Sequence, residues 1–230
     1  MWQVDLDLDG PQLRRAEALL TPDERARADR GTAQVRRHRV ALRAALRTLL
    51  GHVLGCAAAD VPLGTTGHGR PRLAVPTAGW DMNCTASDDL GLVAVARGVR
   101  VGIDVERVTR WTEATAEEGW LSAVEVSALR RLHPAEQAAA ATRCWTQKEA
   151  VLKGLGTGLS LSPARIPTSP GSRSGRALGW DVTPVAVPPG FEASLATSSA
   201  LCPPASTVVP RLLPDPAGST GHPHDAARSL

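Results

Sequence analysis

The sequence predicts an α+β protein of two related subdomains, each a small antiparallel sheet packed with a long helix. Three observations carry that prediction. Residues 2 to 9 alternate Val4, Leu6 and Leu8 with Asp5, Asp7 and Asp9, the period of two that marks a half-buried strand. Residues 91 to 106, GLVAVARGVRVGIDVE, alternate again. One helical plan also occurs twice: a capped short helix, a break, then a long helix closed by Leu49-Leu50-Gly51 in one copy and Gly154-Leu155-Gly156 in the other.

In chain order, the strand at 2–9 comes first. Thr21-Pro22-Asp23-Glu24 then opens a helix: Thr21 caps it, Pro22 sits where no N–H is needed, and Glu24 reaches back to the cap. That helix runs to about Arg30. After Gly31 a longer one runs to about Leu50, with Leu42, Leu46, Leu49 and Leu50 on one face and Gly51 as its stop. Arg36, Arg39, Arg43 and Arg47 share the opposite face, and residues 25 to 47 hold eight arginines against one acid, Asp29. Such a face is either a dock for something negative or a solvated helix surface, and the charge run leaves both open.

Residues 91–106 read as a β-hairpin turning at Arg97-Gly98. In its second strand Val101, Ile103 and Val105 face one way and Gly102, Asp104 and Glu106 the other, so two carboxylates stand side by side. Ser122-Ala123-Val124-Glu125 repeats the capping pattern for a short helix to about Leu132, and Pro134 opens a long helix ending near Gly154. Prolines and glycines between Pro163 and Gly175 mark a loop, after which Leu178–Val187 and Phe191–Thr197 form a last hairpin around Pro188-Pro189-Gly190. From Pro203 the chain has no apolar period and carries six prolines. The expected division is therefore 1–100, 101–202, and an unstructured tail at 203–230.

Composition bounds the function. With 230 residues, 43% of them hydrophobic, the chain can bury a real core, and six Trp, one Phe and no Tyr make that core aliphatic. No run approaches the roughly 20 apolar residues of a membrane span, and the start, MWQVDLDLDG, is acidic where a signal peptide is basic. A cytoplasmic protein without a membrane partner is predicted. Cys56, Cys84, Cys144 and Cys202 lie far apart with no CxxC pair, so reduced thiols are expected rather than a zinc site or disulfides. The net charge of +3 names no partner. The basic residues gather in one helix without an aromatic stacking platform, which argues against nucleic acid.

Lysine usage singles out one segment. Of 26 basic residues only Lys148 and Lys153 are lysine, and both lie in WTQKEAVLKGLGTGL, residues 145–159. Trp145, Glu149, Leu152 and Lys153 fall at i, i+4, i+7 and i+8 of a helix, so Trp145 anchors a face that also presents an acid and a base. Taken alone, Glu149 and Lys153 also read as a surface ion pair worth about 0.3–0.5 kcal/mol. Gly154, Gly156 and Gly158 follow a helix, where a dinucleotide loop must follow a strand, so they read as a helix stop and a turn.

GIDVE and WTQKEAVLKGLGTGL together, in one order with the basic helix, GRPRL at 69–73 and the terminal GW…PPGFEASLA, resemble the 4'-phosphopantetheinyl transferases of the surfactin-synthetase-activating (Sfp) type over roughly residues 2–198. The resemblance implies a pseudo-twofold α+β fold with the active site between its halves. It implies coenzyme A as co-substrate, Mg²⁺, and a monomeric enzyme that modifies a serine of an acidic apo acyl or peptidyl carrier protein in polyketide or nonribosomal peptide biosynthesis. By position, Asp104, Glu106 and Glu149 match the family's metal carboxylates, with Glu149 also its candidate base, and Lys153 matches the phosphate-contacting lysine. Arg36, Arg39 and Arg70 would meet the coenzyme's phosphates or the carrier, and Thr85 keeps a hydroxyl in the coenzyme site. Lys148 matches the lysine of the KEA triplet, with a structural role as the alternative. Where the family reads NLSHSG, this chain has Asn83-Cys84-Thr85-Ala86-Ser87-Asp88. Ala86 thus replaces the histidine expected near the adenosine 3'-phosphate, and Asp88 adds a negative charge close by. A second reading follows from that departure, a carrier-binding relative without transferase activity whose coenzyme use is impaired.

Overall fold

The structure, a computed structural model, describes residues 1–67, 69–74, 79–198 and 211–212. Strand β1 (Trp2–Asp5) leads into three helices, α1 (Gly10–Ala18), α2 (Pro22–Ala28) and α3 (Ala33–Leu54). A two-stranded hairpin, β2 (Leu63–Thr65) and β3 (Pro71–Leu73), precedes β4 (Trp80–Ser87) and β5 (Leu90–Arg97). Then the plan restarts with β6 (Val101–Arg107), α4 (Glu113–Glu117), α5 (Ala123–Arg130) and α6 (Pro134–Leu155), followed by β7 (Gly175–Ala177), β8 (Trp180–Pro184) and β9 (Phe191–Ser198). The two larger sheets repeat one topology. In the first, β1 pairs with β5 and β5 with β4; in the second, β6 pairs with β9 and β9 with β8, all antiparallel. Each sheet carries one 22-residue helix, α3 or α6. The predicted α+β fold with two like halves is the observed one.

Local chemistry sets the helix boundaries. Reciprocal capping boxes start α1 (Asp9 with Gln12), α2 (Thr21 with Glu24) and α5 (Ser122 with Glu125), and left-handed Gly55 and Gly156 close α3 and α6. Helix α1 was not expected, because the alternation of Leu6 and Leu8 continues past the end of β1 and both stay buried although the strand stops at Asp5. Gly51 does not stop α3. It lies inside the last turn, where a Cβ would fall 2.8 Å from the Cys56 carbonyl oxygen, so the glycine permits a close return of the chain.

Leu6, Leu46, Leu50, Met82 and Val93 fill the space between α3 and the first sheet. Ala150, Val151, Leu152, Trp180 and Ala196 do the same between α6 and the second. Leu92 and Ala94 of β5 pack with Val101, Ile103, Val105 and Ala193, which joins the halves through one apolar layer. Truncating a residue as buried as Leu50 should cost about 2–5 kcal/mol.

The hairpin expected at 91–106 does not form. Both hydrogen-bonding edges of β5 are already taken, by β1 and β4, so β6 becomes the first strand of the second sheet. Side chains of β4 satisfy the β6 amides that face it: Val101 N–H donates to Asp81 Oδ2 (2.8 Å), Ile103 N–H to Asn83 Oδ1 (3.3 Å) and Arg107 N–H to Ser87 Oγ (3.0 Å). The halves are therefore stitched by one face of β4.

Most of the tail expected at 203–230 lies outside the described residues. The two that are described, Arg211–Leu212, form strand β10, which pairs in parallel with Gln3 and Val4 of β1. Among the described residues no helix is long and apolar enough to cross a membrane.

Candidate active site

Two glycines bring the acids and the lysine together. A Cβ on Gly102 would fall 1.9 Å from the Ala150 carbonyl oxygen and 2.4 Å from Gly154 N, and one on Gly154 would strike the Trp180 ring at 2.6 Å. The bare Gly102 lets α6 lie this close to β6, and the bare Gly154 lets it lie against Trp180 of β8. Residues 102, 104 and 106 share one face of β6, so the contact at Gly102 sets Asp104 and Glu106 beneath the helix that bears Glu149 and Lys153.

Asp104 is 1% exposed. Its Oδ1 accepts from Lys153 Nζ at 2.5 Å and from Thr85 Oγ1 at 3.0 Å, and Thr85 Oγ1 accepts in turn from Lys153 Nζ at 3.0 Å. Its other oxygen, Oδ2, is buried without a hydrogen-bond partner among the described residues. Burial pushes the Asp104 carboxyl up, against the pull of Lys153. Burial also raises Glu106, to which the Asp104 charge adds, while a bond from Ser87 Oγ (3.2 Å) and one from Trp145 oppose it. Glu149 is raised by burial, lowered by Lys153 and raised again by Asp104. Three acids thus share one field that favours an added cation.

These residues fit Mg²⁺ as part of a coordination shell. The donors are hard carboxylate oxygens, and one of them is a buried orphan of the kind a cation satisfies. Among the described residues, no three His, Cys, Asp or Glu side chains converge closely enough to hold a metal ion unaided. The set is partial, as suits a small cation that completes its shell with water and substrate phosphate.

A cleft of about 470 Å³ lies between α2, α3, the β2–β3 hairpin and the end of α6; of the three acids Glu149 lines it, while Glu106 borders a separate cavity with Arg107 and Trp145. Glu149, Leu152 and Lys153 line one side and Arg27, Arg39 and Arg43 the other, with Cys84 between them. Arg39 stands in the wall and donates to the carbonyls of Arg27 (3.2 Å) and Arg30. Arg70 is also in the wall, but its guanidinium braces the fold, donating to the Lys153 carbonyl, to Asp81 Oδ2 at 2.6 Å and to the Val101 carbonyl at 2.9 Å. Arg36 is paired with Glu17 and Asp29, both at 2.6 Å, away from the lining. Thr85 lies beneath Lys153 rather than in the wall. Ala86 is exposed, and Asp88, expected beside a phosphate, is paired with Arg107 instead. Sequence reasoning left out Arg27, Arg43 and Glu24 as cleft residues, and Ser87 and Trp145 as partners of Glu106. The i+4 spacing from Arg39 to Arg43 was the available signal.

Residues 100–191, which carry Asp104, Glu106, Glu149 and Lys153, match the profile of the 4'-phosphopantetheinyl transferase superfamily. The chain is 34% identical over 179 residues to the 4'-phosphopantetheinyl transferase HetI of Nostoc sp. (strain PCC 7120), an alignment covering 74% of this chain and 75% of the relative. The protein belongs to the 4'-phosphopantetheinyl transferase superfamily. A Synechocystis sp. (strain PCC 6803) protein named for the same activity, slr0495, is 27% identical over 156 residues, covering 66% of this chain and 63% of the relative.

Within this transferase the two lysines have different surroundings, Lys153 on Asp104 beside the cleft and Lys148 in the core. Lys148 is fully buried, and its Nζ donates to the Glu125 carboxylate at 2.9 Å, to the Pro163 carbonyl at 3.0 Å and to the Ile166 carbonyl at 2.6 Å. Three N–H donors meet three acceptors, a tetrahedral arrangement that a planar guanidinium does not fit. Glu125 also accepts from the Thr168 N–H at 2.8 Å, so Lys148 and Glu125 tie α5 and α6 to the loop that follows. The structural alternative for Lys148 is the observed one.

Proposed function

We propose that the protein transfers the 4'-phosphopantetheine group of coenzyme A to a serine of an apo acyl or peptidyl carrier protein and releases 3',5'-ADP. The observation that carries this reading is the meeting of Lys153 with Asp104, beside Glu149, at the end of a cleft walled by arginines. Bound Mg²⁺, held by Asp104, Glu106 and Glu149, would supply charge neutralisation at the pyrophosphate. The arginine wall binds and orients the coenzyme's phosphates, and Leu42 and Leu152 give its adenosine an apolar surface. Glu149, raised by burial, takes the serine proton, directly or through a water. The serine Oγ–P bond forms at the β-phosphorus as the bond from that phosphorus to the leaving 3',5'-ADP breaks, and Lys153 offsets charge on the phosphate. Arg25, exposed on α2, suits an acidic carrier. The same reading takes the enzyme to be a cytoplasmic monomer.

Incubation with coenzyme A, Mg²⁺ and a panel of apo-carriers, read by intact mass, tests the reading. One phosphopantetheine added per carrier, and none on a Ser→Ala carrier, is the expected result. Coenzyme binding without modification of any carrier would favour a non-enzymatic carrier-binding protein.

A further inference from the structure

The two halves treat their first strands differently. In the second half β6 has β9 on one side, and side chains of β4 (Asp81, Asn83 and Ser87) accept from its remaining amides. In the first half the equivalent strand, β1, has β5 on its inner side. Its outer side meets no such row of side chains from the other half. Gln3 Nε2 donates to the Ala186 carbonyl at 2.7 Å, which engages a side chain and leaves the backbone edge as it was. Trp2–Asp5 also contains no proline, glycine or lysine, the residues that commonly keep a bare edge from pairing.

The direction of the β1 amides follows from one bond. Leu6 N–H donates to the Asp89 carbonyl at 2.9 Å, on the β5 side. Backbone groups alternate along a strand, so Val4 N–H also points to β5, and the amides of Gln3 and Asp5 point to the outer edge. Arg211–Leu212 lie along that edge in parallel, with Arg211 opposite Gln3 and Leu212 opposite Val4. The sequence accounts for the place and the brevity of this strand. Of the five Val and Leu residues between 203 and 230, four fall in Val208-Val209-Pro210-Arg211-Leu212-Leu213, so this is the stretch with apolar residues to offer a sheet. Pro210 and Pro214 lack an N–H, which limits a ladder on β1 to the three residues between them.

We propose that the outer edge of β1 is a strand-accepting site, that its occupant is the chain's own Arg211–Leu212, and that this occupant keeps two copies of the protein from pairing edge to edge. An uncovered edge strand is a template for another chain, and two β1 strands meeting antiparallel about a twofold axis would join two first sheets into one. The occupant does not pass the problem outward, because its flanking prolines leave it too short to template a further strand. Neither metal nor coenzyme enters this assignment, so its failure would leave the transferase reading untouched.

The test is amide exchange by nuclear magnetic resonance, with sedimentation, on the full chain as wild type, Leu212→Pro and, as a control, Ala205→Pro. Leu212→Pro should speed exchange at the Gln3 and Asp5 amides about tenfold or more, while Val4, turned to β5, keeps its protection. The same variant should form dimers as concentration rises, and Ala205→Pro should match a monomeric wild type in both readings. Adding Gln3→Lys to Leu212→Pro puts a charge on the bare edge and should return the monomer without restoring protection. Deletion of residues 204–230 should reproduce the Leu212→Pro result. Gln3 and Asp5 amides that exchange alike in wild type, Leu212→Pro and the deletion overturn the assignment. Faster exchange in variants that stay monomeric at every concentration overturns the guarding role. Protection in wild type that fades on dilution shows the strand to come from a second copy, and overturns the chain's own segment as occupant.

Discussion

Lys153 Nζ lies 2.5 Å from Asp104 Oδ1 within the second half, at the point where Thr85 of the first half bonds to both, while the second oxygen of Asp104 has no hydrogen-bond partner among the described residues. An internal cation thus neutralises half of a buried carboxylate. On the proposed reading the other half takes the metal, and Lys153, about a third exposed at its side chain, turns toward a phosphate in the cleft.

The two lysines should separate function from stability. Lys148→Met leaves Glu125 buried without its ammonium and should cost about 3–5 kcal/mol of unfolding free energy, with turnover per folded molecule little changed. Lys153→Met should do the reverse, lowering transfer at least 100-fold with a smaller loss of stability. Urea denaturation beside single-turnover transfer would show it. Equal loss of turnover in both variants would contradict the division of roles.

Asp104→Ala, Glu106→Ala and Glu149→Ala should each abolish transfer while the fold persists. Manganese binding followed by electron spin resonance should weaken in step. If any two of these variants keep near wild-type turnover at saturating Mg²⁺, the metal assignment is wrong.

The same three acids set a pH dependence. Their folded pKa values are raised above the unfolded values of about 3.9 and 4.3. A raised value means that the folded state binds more protons, so their contribution is favourable below the unfolded pKa and is lost as pH rises through the folded one. In metal-free buffer, wild type should therefore lose stability relative to the Asp104→Asn, Glu106→Gln, Glu149→Gln triple variant as pH rises above about 4. Mg²⁺ should narrow that gap at the higher pH, because metal and protons compete for one site. Parallel stability curves for the two proteins would refute the shared field.

Gly102→Ala should be far more damaging than Gly55→Ala. The first drives a methyl into the backbone of α6 and should cost about 3 kcal/mol or more, opening the gap between β6 and α6. The second meets no atom within 4 Å and strains only a left-handed cap, about 1 kcal/mol. Thermal melts compare them directly.

Ala86 is exposed on β4, two residues beyond Cys84 of the cleft wall; on the proposed reading a side chain that would meet the coenzyme's 3'-phosphate is missing there. Dephospho-coenzyme A should be used almost as well as coenzyme A, and Ala86→His should restore a preference for the phosphorylated form of roughly tenfold or more. Strong preference for coenzyme A in the unmodified protein would show that another cation has taken over the contact.

What the sequence made legible was local. The capping boxes at Thr21 and Ser122, the left-handed glycine after α6 and the side-by-side acids of β6 follow from neighbours within a few residues, and each is where its pattern placed it. What it hid was non-local. Residues 91–106 looked like a hairpin because two alternating segments adjoin, but pairing depends on which edges β1 and β4 already occupy. Eight arginines in one stretch looked alike, yet Arg47 is buried on Glu24, Arg36 is paired with Glu17 and Asp29, and Arg43 binds Glu24 through Nε alone among the described residues. No spacing rule separates those three. Their partners lie on other helices, and only packing decides which guanidinium meets which acid.

The most direct test of the central claim is the mass of an apo-carrier after incubation with this protein, Mg²⁺ and coenzyme A, for wild type and Lys153→Met. The account predicts one phosphopantetheine added at the carrier serine by wild type, none after chelation of the metal, and a rate at least 100-fold lower for Lys153→Met. Unmodified carriers throughout the panel, from a folded protein that binds coenzyme A, would contradict it.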